Sequence, residues 1–165
     1  MSMRVGLLAL ALASIAAACG PGAEAACNVD GARYALRGSP AFTASFRQVP
    51  GSRSAHDLIF DVRSAKTGRT FSFRINRGNG YGEATLSPTR GGMSGQVELY
   101  TLNDAAEFTD YFGEVEGPAP RQLLAPKLGP VLWYQADALT GASNSARERM
   151  PRAFFDRVSC GPAAR

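Results

Sequence analysis

The sequence predicts an all-β domain with at most one or two short helices. The expected architecture is an antiparallel β-sandwich or small barrel of about seven to nine strands. Three observations predict it. Apolar and polar residues alternate with a period of two from residue 32 to about residue 101. Turn-forming clusters part the alternating runs at intervals of about ten residues. Two cysteines, Cys27 and Cys160, bracket the whole region.

Taken in order, the first candidate strand is the short run Tyr34–Arg37. Next, Phe42, Ala44 and Phe46 alternate with Thr43, Ser45 and Arg47. Leu58, Phe60 and Val62 alternate with Asp57, Asp61 and Arg63, and Ile59 interrupts the polar side. Phe71, Phe73 and Ile75 alternate with Ser72, Arg74 and Asn76, and Val97, Leu99 and Thr101 with Gln96, Glu98 and Tyr100. Such alternation puts one face in a core and the other in water. Glu83–Ser87 and Val131–Ala136 are shorter candidates. The intervening stretches VPGSRSAH, SAKTGR, RGNGYG and SPTRGGMSG carry Gly, Pro or Asn where a chain must reverse.

The second half is less regular. EGPAPRQLLAPKLGP (116–130) holds four prolines and no period, and reads as a long connection across the β-structure. Asn103 is placed to cap a short helix reaching about Phe108. Residues 145–158 allow two readings. Pro151 suits a first helical position, whereas the alternation of Phe154, Asp156 and Val158 tips the segment towards a closing strand.

Residues 1–25 form an export signal. Arg4 precedes Val5–Ala18, an uncharged apolar run with the length of a secretory core and no polar face. The folded unit is then 27–160, followed by a short tail, 161–165. In an oxidising compartment Cys27 and Cys160 are expected to pair and clip the first segment to the last.

Cys19 is the odd cysteine, and two processing routes stay open. Ala23-Glu24-Ala25 offers small residues at −3 and −1 for a cut that discards Cys19 and starts the mature chain near Ala26. Alternatively, Ile15-Ala16-Ala17-Ala18-Cys19-Gly20 resembles a bacterial lipoprotein signal, with Ala16 where Leu is usual. That resemblance implies an acylated Cys19 as the mature N-terminus and a lipid-tethered domain.

The formal charge is +4. Residues 33–90 hold ten basic and three acidic groups, whereas 103–116 hold five acidic groups and no basic one. A two-sided molecule of this kind can meet anionic headgroups or acidic glycans with one side. No nucleic-acid motif appears, and export removes that partner. Membrane contact is expected only through an N-terminal lipid on Cys19.

Familiar chemistry is sparse. The one histidine, His56, sits in a polar turn. Gly92-Met93-Ser94-Gly95-Gln96 misses the nucleophile-elbow pattern at its last position. Asp104, Glu107 and Asp110 do not follow a calcium-loop pattern. No metal and no cofactor is therefore expected. Gly78-Asn79-Gly80-Tyr81-Gly82 reads as a hairpin turn, because a strand pattern follows where a dinucleotide loop needs a helix. The candidate ligand-binding residues are Arg77, Asn79 and Tyr81 on that loop, and Trp133 as a stacking surface.

These observations lead to an exported, non-enzymatic envelope domain that binds an envelope protein or a glycan. One variant is an inhibitor of a secreted enzyme such as lysozyme, met by the acidic segment. The alternatives are a carbohydrate-active hydrolase using paired carboxylates such as Glu83 and Glu98, and a purely structural envelope component. Metabolic labelling with a fatty acid separates the processing routes. The lipoprotein route predicts label on the wild type and none on Cys19→Ser. A soluble, unlabelled wild-type protein leaves the cut near Ala26.

Overall fold

The structure, a computed structural model, describes residues 27–54, 56–77, 84–109 and 117–161. Nine strands follow a short 3-10 helix at Val29–Gly31. They are β1 (Ala32–Leu36), β2 (Phe42–Gln48), β3 (Leu58–Ser64), β4 (Thr70–Arg77), β5 (Ala84–Pro88), β6 (Val97–Leu102), β7 (Phe108–Thr109), β8 (Gln122–Leu124) and β9 (Phe155–Cys160). Helices α1 (Leu128–Tyr134) and α2 (Ala136–Thr140) lie between β8 and β9. All pairings are antiparallel, in the order β5-β4-β3-β2-β1-β9-β8-β6-β7, and β5 also pairs with β6. Eight strands therefore close into a barrel, with β7 as an extra strand on β6.

The alternation builds this directly. Along β2 the inward residues Phe42, Ala44 and Phe46 are buried and the outward ones are not. The same holds for Phe71 and Phe73 on β4, and for Val97 and Leu99 on β6. A barrel of eight strands has a lumen that side chains can just fill. Here a run of rings fills it: Tyr34 to Phe46 at 5.7 Å, Phe46 to Phe60 at 5.2 Å and Phe60 to Phe155 at 6.1 Å between centroids. Each such burial contributes roughly 2–3 kcal/mol. The Tyr34 hydroxyl donates to the Pro120 carbonyl at 3.0 Å. Burial pushes its pKa up, partly offset by Arg157.

Both ends are closed. At one end the 3-10 helix and the strap 117–120 cover the lumen, with Val29 and Ala119 buried. Val29 N–H donates to Gly117 at 3.0 Å and Ala119 N–H to Cys27 at 2.7 Å. The Cys27–Cys160 disulfide lies here, with 5.4 Å between Cα atoms across 133 residues of sequence. At the other end α1 and α2 form a cap, burying Leu128, Val131, Leu132 and Leu139. Gly91 fits the cap closely. Its φ is +69°, and a Cβ there would stand 2.0 Å from the Ala138 carbonyl oxygen.

Several local expectations are corrected. Val131–Ala136 is helical, because Leu128, Val131, Leu132, Ala136 and Leu139 recur at helical spacing and all are buried. Asn103 caps no helix. Its side chain instead bridges the β6–β7 turn, accepting from Glu107 N–H at 3.0 Å and donating to the Glu107 carboxylate at 3.0 Å. The long connection 116–130 contains β8 and the start of α1. Residues 145–154 are neither helix nor strand, and the closing strand starts at Phe155. Its phase is opposite to the expected one: Phe155 points into the core and Val158 is 62% exposed.

The seam between β1 and β9 closes the barrel. Arg37 binds Asp156 through two hydrogen bonds of 2.9 and 2.7 Å, and Gln122 of β8 donates to the same carboxylate at 2.9 Å. The Arg37 hydrogen bond, with smaller help from Gln122 and Arg121, holds the Asp156 pKa below the usual carboxylate range. A depressed folded-state pKa adds stability above the unfolded value, about 3.9 for Asp, that is lost as pH falls through the folded one. Acid unfolding of Asp156→Asn is thus expected to be less steep with pH below about 4 than that of the wild type. An unchanged slope in pH-dependent chemical denaturation would refute this role.

Candidate functional site

The strand sequences distribute charge unevenly round the wall. Strands β1–β5 carry Arg33, Arg47, Arg63, Arg74 and Arg77 against one carboxylate, Asp61, a net of +4. Strands β6–β9 carry Glu98, Asp156 and Arg157, a net of −1. Pairing registers turn the first set into a surface. Arg33, Ser45, Asp61 and Ser72 form one outward row across β1–β4. Arg47, Ile59 and Arg74 form the next row on the side away from the cap, and Thr43, Arg63 and Thr70 the next row on the cap side. Neighbouring strands lie about 4.8 Å apart and alternate residues on one strand about 6.6 Å apart. Ile59 is only 4% exposed on this outer wall. Its cross-strand neighbours are two arginines, whose methylene stems can cover apolar surface.

Two hollows of about 500 and 490 Å³ lie along this face and share Thr70. The smaller runs between Arg33, Arg63 and Val158. The larger lies between the wall and the cap, where Arg47 and Ser72 face α2 and the chain after it, and Arg69 and Arg90 stand on the flanking loops. Asp61 is engaged: Arg47 Nε donates to it at 2.7 Å and the Ser72 hydroxyl at 2.5 Å.

The far wall of the larger hollow is pinned at several points. Glu148, 1% exposed, accepts hydrogen bonds from the Ser64 hydroxyl at 2.9 Å and from the Thr67 hydroxyl. Arg69 donates to the Ala146 carbonyl at 3.1 Å. Ser145 N–H donates to Asp137 at 2.6 Å, and the Ser145 and Thr140 hydroxyls are 2.5 Å apart. Gly92 N–H holds α2 through the Ala138 carbonyl at 2.9 Å.

The sequence-predicted site residues fall elsewhere. Arg77 is exposed at the end of β4 remote from the cap, and Trp133 lies on the cap, so the barrel wall separates them. Asn79, Tyr81 and Cys19 lie outside the described residues, although the loop bearing the first two joins the antiparallel neighbours β4 and β5. Trp133 and Tyr134 are both exposed, at 36% and 78%, because they sit on the outer side of a helix and not on a strand. Arg147 approaches the Trp133 ring at 6.0 Å. The cysteine pair is placed as expected. The sequence reading missed Arg47, Arg69 and Arg90 as a group. The excess of basic residues in 33–90 was their signal.

The remaining chemistry is engaged in structural contacts. Glu98 bonds Lys127 at 2.9 Å, and that contact holds its pKa below the usual range, opposite to what a general acid requires. The candidate carboxylate Glu83 lies outside the described residues. Asp104 approaches Arg157 at 3.5 Å, and Glu107 bonds Asn103. Among the described residues no three His, Cys, Asp or Glu side chains group as a metal would require. No helix there is long and apolar enough to cross a membrane. A disulfide belongs to an oxidising, non-cytoplasmic compartment.

What the structure defines is thus a closed, side-chain-filled antiparallel barrel with a basic groove between its wall and its helical cap. The chain matches no family model, no curated protein and no solved structure.

The pinned wall makes a specific demand on Glu148. In Glu148→Ala the buried Ser64 hydroxyl and the half-buried Thr67 hydroxyl lose their acceptor, at a cost of about 1–3 kcal/mol. Chemical denaturation is expected to show that loss while the far-ultraviolet spectrum keeps its β signature. Wild-type stability in this variant would mean that the clamp carries no weight.

Proposed function

We propose that the protein is an exported, non-enzymatic binding domain of the bacterial cell envelope, and that it engages its partner with the outside of the barrel wall. One observation carries this reading: the arginine-rich outer face of β1–β5, set on a barrel whose lumen is already filled. A filled lumen leaves recognition to the exterior. On the exterior, charge is concentrated where the pinned cap makes a concave surface. The N-terminal signal supplies the route to the envelope, and the disulfide suits an oxidising compartment. Lipidation of Cys19 and a periplasmic location belong to the same proposal.

Retention on isolated envelope material tests it. The Cys19→Ser protein is used, so that no lipid causes retention. Screening lengths fall from about 10 Å at 0.1 M salt to about 3 Å at 1 M, so binding through the basic face is expected at low salt and release at high salt. Failure to sediment with envelopes at low salt would reject the reading. Lysozyme activity in the presence of excess protein is expected to stay unchanged. Its inhibition would move the partner to a secreted basic enzyme met by the acidic 103–116 segment.

A further inference from the structure

We infer that the groove between the β2–β4 wall and α2 is a binding site for an acidic glycan, a sugar chain carrying carboxylate or phosphate groups. This rests on the reading of the protein as an envelope binding domain, and it names the class of ligand. Three arginines, Arg47, Arg69 and Arg90, line one hollow of about 500 Å³. Among the described residues the one carboxylate hydrogen-bonded to these arginines is Asp61, while Asp137 and Glu148 are held behind the lining by Ser145 and by Ser64 and Thr67. Both Asp61 oxygens already accept bonds, from Arg47 and Ser72. A guanidinium presents five donors. Arg47 uses its Nε towards Asp61 and Arg69 one Nη towards Ala146, and the remaining donors can take an oxyanion as a fork. Arg90 is exposed on the loop after β5, on the opposite rim.

The lining between the cations is rich in hydroxyls. Thr70 and Thr89 bring hydroxyl groups that both donate and accept, as a sugar's own hydroxyls do, and Ser72, Thr140 and Ser145, whose protons go to Asp61 and to backbone carbonyls, offer acceptor oxygens. Thr140 and Ser145 hold each other at 2.5 Å, so they form a fixed pair. The second hollow, which shares Thr70 with the first, adds Arg63 and Arg33, the latter also donating to the Asp30 and Ala32 carbonyls. Cations thus recur along this face, as a chain of repeating anions requires.

Shape favours the glycan over a lipid surface. A bilayer is flat and meets protruding side chains, whereas this site is recessed between the wall and the cap. The groove is also built before any ligand arrives. Glu148 fixes the cap to Ser64 and Thr67, and Gly92 fixes α2 to the β5–β6 loop. A preformed site loses little ordering entropy on binding.

The test is calorimetry on the exported Cys19→Ser protein. The probes are a size-defined oligogalacturonate, a phosphodiester-linked sugar oligomer of similar length, a neutral dextran oligomer and phosphatidylglycerol vesicles. Saturable one-to-one binding of either acidic oligomer is expected, and the tighter of the two identifies the anion. No binding of the neutral oligomer is expected, and none of the vesicles beyond that of a charge-matched control. The paired variant Arg69→Gln/Arg90→Gln should lose about ten-fold or more in affinity. Arg53→Gln/Arg149→Gln removes the same charge outside the groove, and should lose less than three-fold. Thermal melts of both variants exclude unfolding as the cause. Equal losses in the two pairs, tighter binding to the vesicles, or no binding of either acidic oligomer would overturn the assignment. Envelope retention by a protein that ignores both oligomers would reject the glycan alone, and absence of retention would reject the envelope reading with it.

Discussion

The return of the last strand to the first is the constraint on which the rest of this structure depends. Strand β9 must pair with β1 across almost the whole chain, and also with β8 through a contact of only two residue pairs. Until that happens, β1 and β8 present open edges, and open edges recruit other chains. Closure is also entropically expensive, because the joined segments are far apart in sequence. Two devices favour it. The disulfide ties the start of the fold to the end of β9, which shrinks the unfolded ensemble. At the other end of the seam, Arg37, Asp156 and Gln122 join β1, β9 and β8 through one carboxylate. Once the seam is shut, Phe155 comes within 6.1 Å of Phe60, and the lumen fills from both sides.

The filled lumen in turn decides where recognition can occur. Larger barrels, or barrels with smaller inward side chains, keep a cavity for a ligand. Here Tyr34, Phe46, Phe60, Phe73 and Phe155 occupy inward positions, each at most 2% exposed. The outer wall is then where the proposed recognition falls. Apart from Ile59, outward positions on β1–β4 do not pack into the core, and they hold arginines in successive strands. The register sets none of these arginines directly opposite another: Arg47 and Arg74 flank Ile59, Arg33 faces Ser45, and Arg63 lies between Thr43 and Thr70. Asp61 pairs with Arg47 through the bond to its Nε.

Much of the barrel was legible because a strand buried on one side writes its environment into alternate residues. Strands β2, β3, β4 and β6 each show two to four such buried positions in alternation with more exposed ones, enough to set both the element and its face. Strand β8 spans only three residues amid prolines, too short to show a period. In PVLWYQ, β-branched and aromatic residues imitate a strand. The burial spacing Leu128, Val131, Leu132, Ala136 and Leu139 is helical, and it appears only when the window extends past both ends of that run. Phe154 and Phe155 are adjacent and both apolar, so the phase of β9 was ambiguous until its partner Leu36 on β1 set it. The groove was beyond reach for a different reason. Its far wall, residues 139–145, lies about seventy positions from Arg69 and Ser72, and no local pattern reports such a pairing.

The buried carboxylate explains how the wall and cap can be joined without neutralising the basic face. A buried charge must be satisfied, and an arginine would be the usual partner. Arg69 is close at hand in sequence to Thr67, and a Glu148–Arg69 pair would have served the same structural end. Instead Glu148 takes two hydroxyls, from Ser64 and Thr67, and Arg69 turns to the Ala146 carbonyl. A carbonyl orients a guanidinium without cancelling its charge. The same economy recurs with Asp61, whose second oxygen is given to the neutral Ser72. Structural bonds around the groove are thus drawn largely from hydroxyls and backbone groups, with Asp61 paired to Arg47 as the exception, and the Arg69 and Arg90 guanidinium groups line one concave space without a carboxylate bonded to them among the described residues. Cations held close together repel one another, and the proposed acidic glycan would relieve that repulsion on binding.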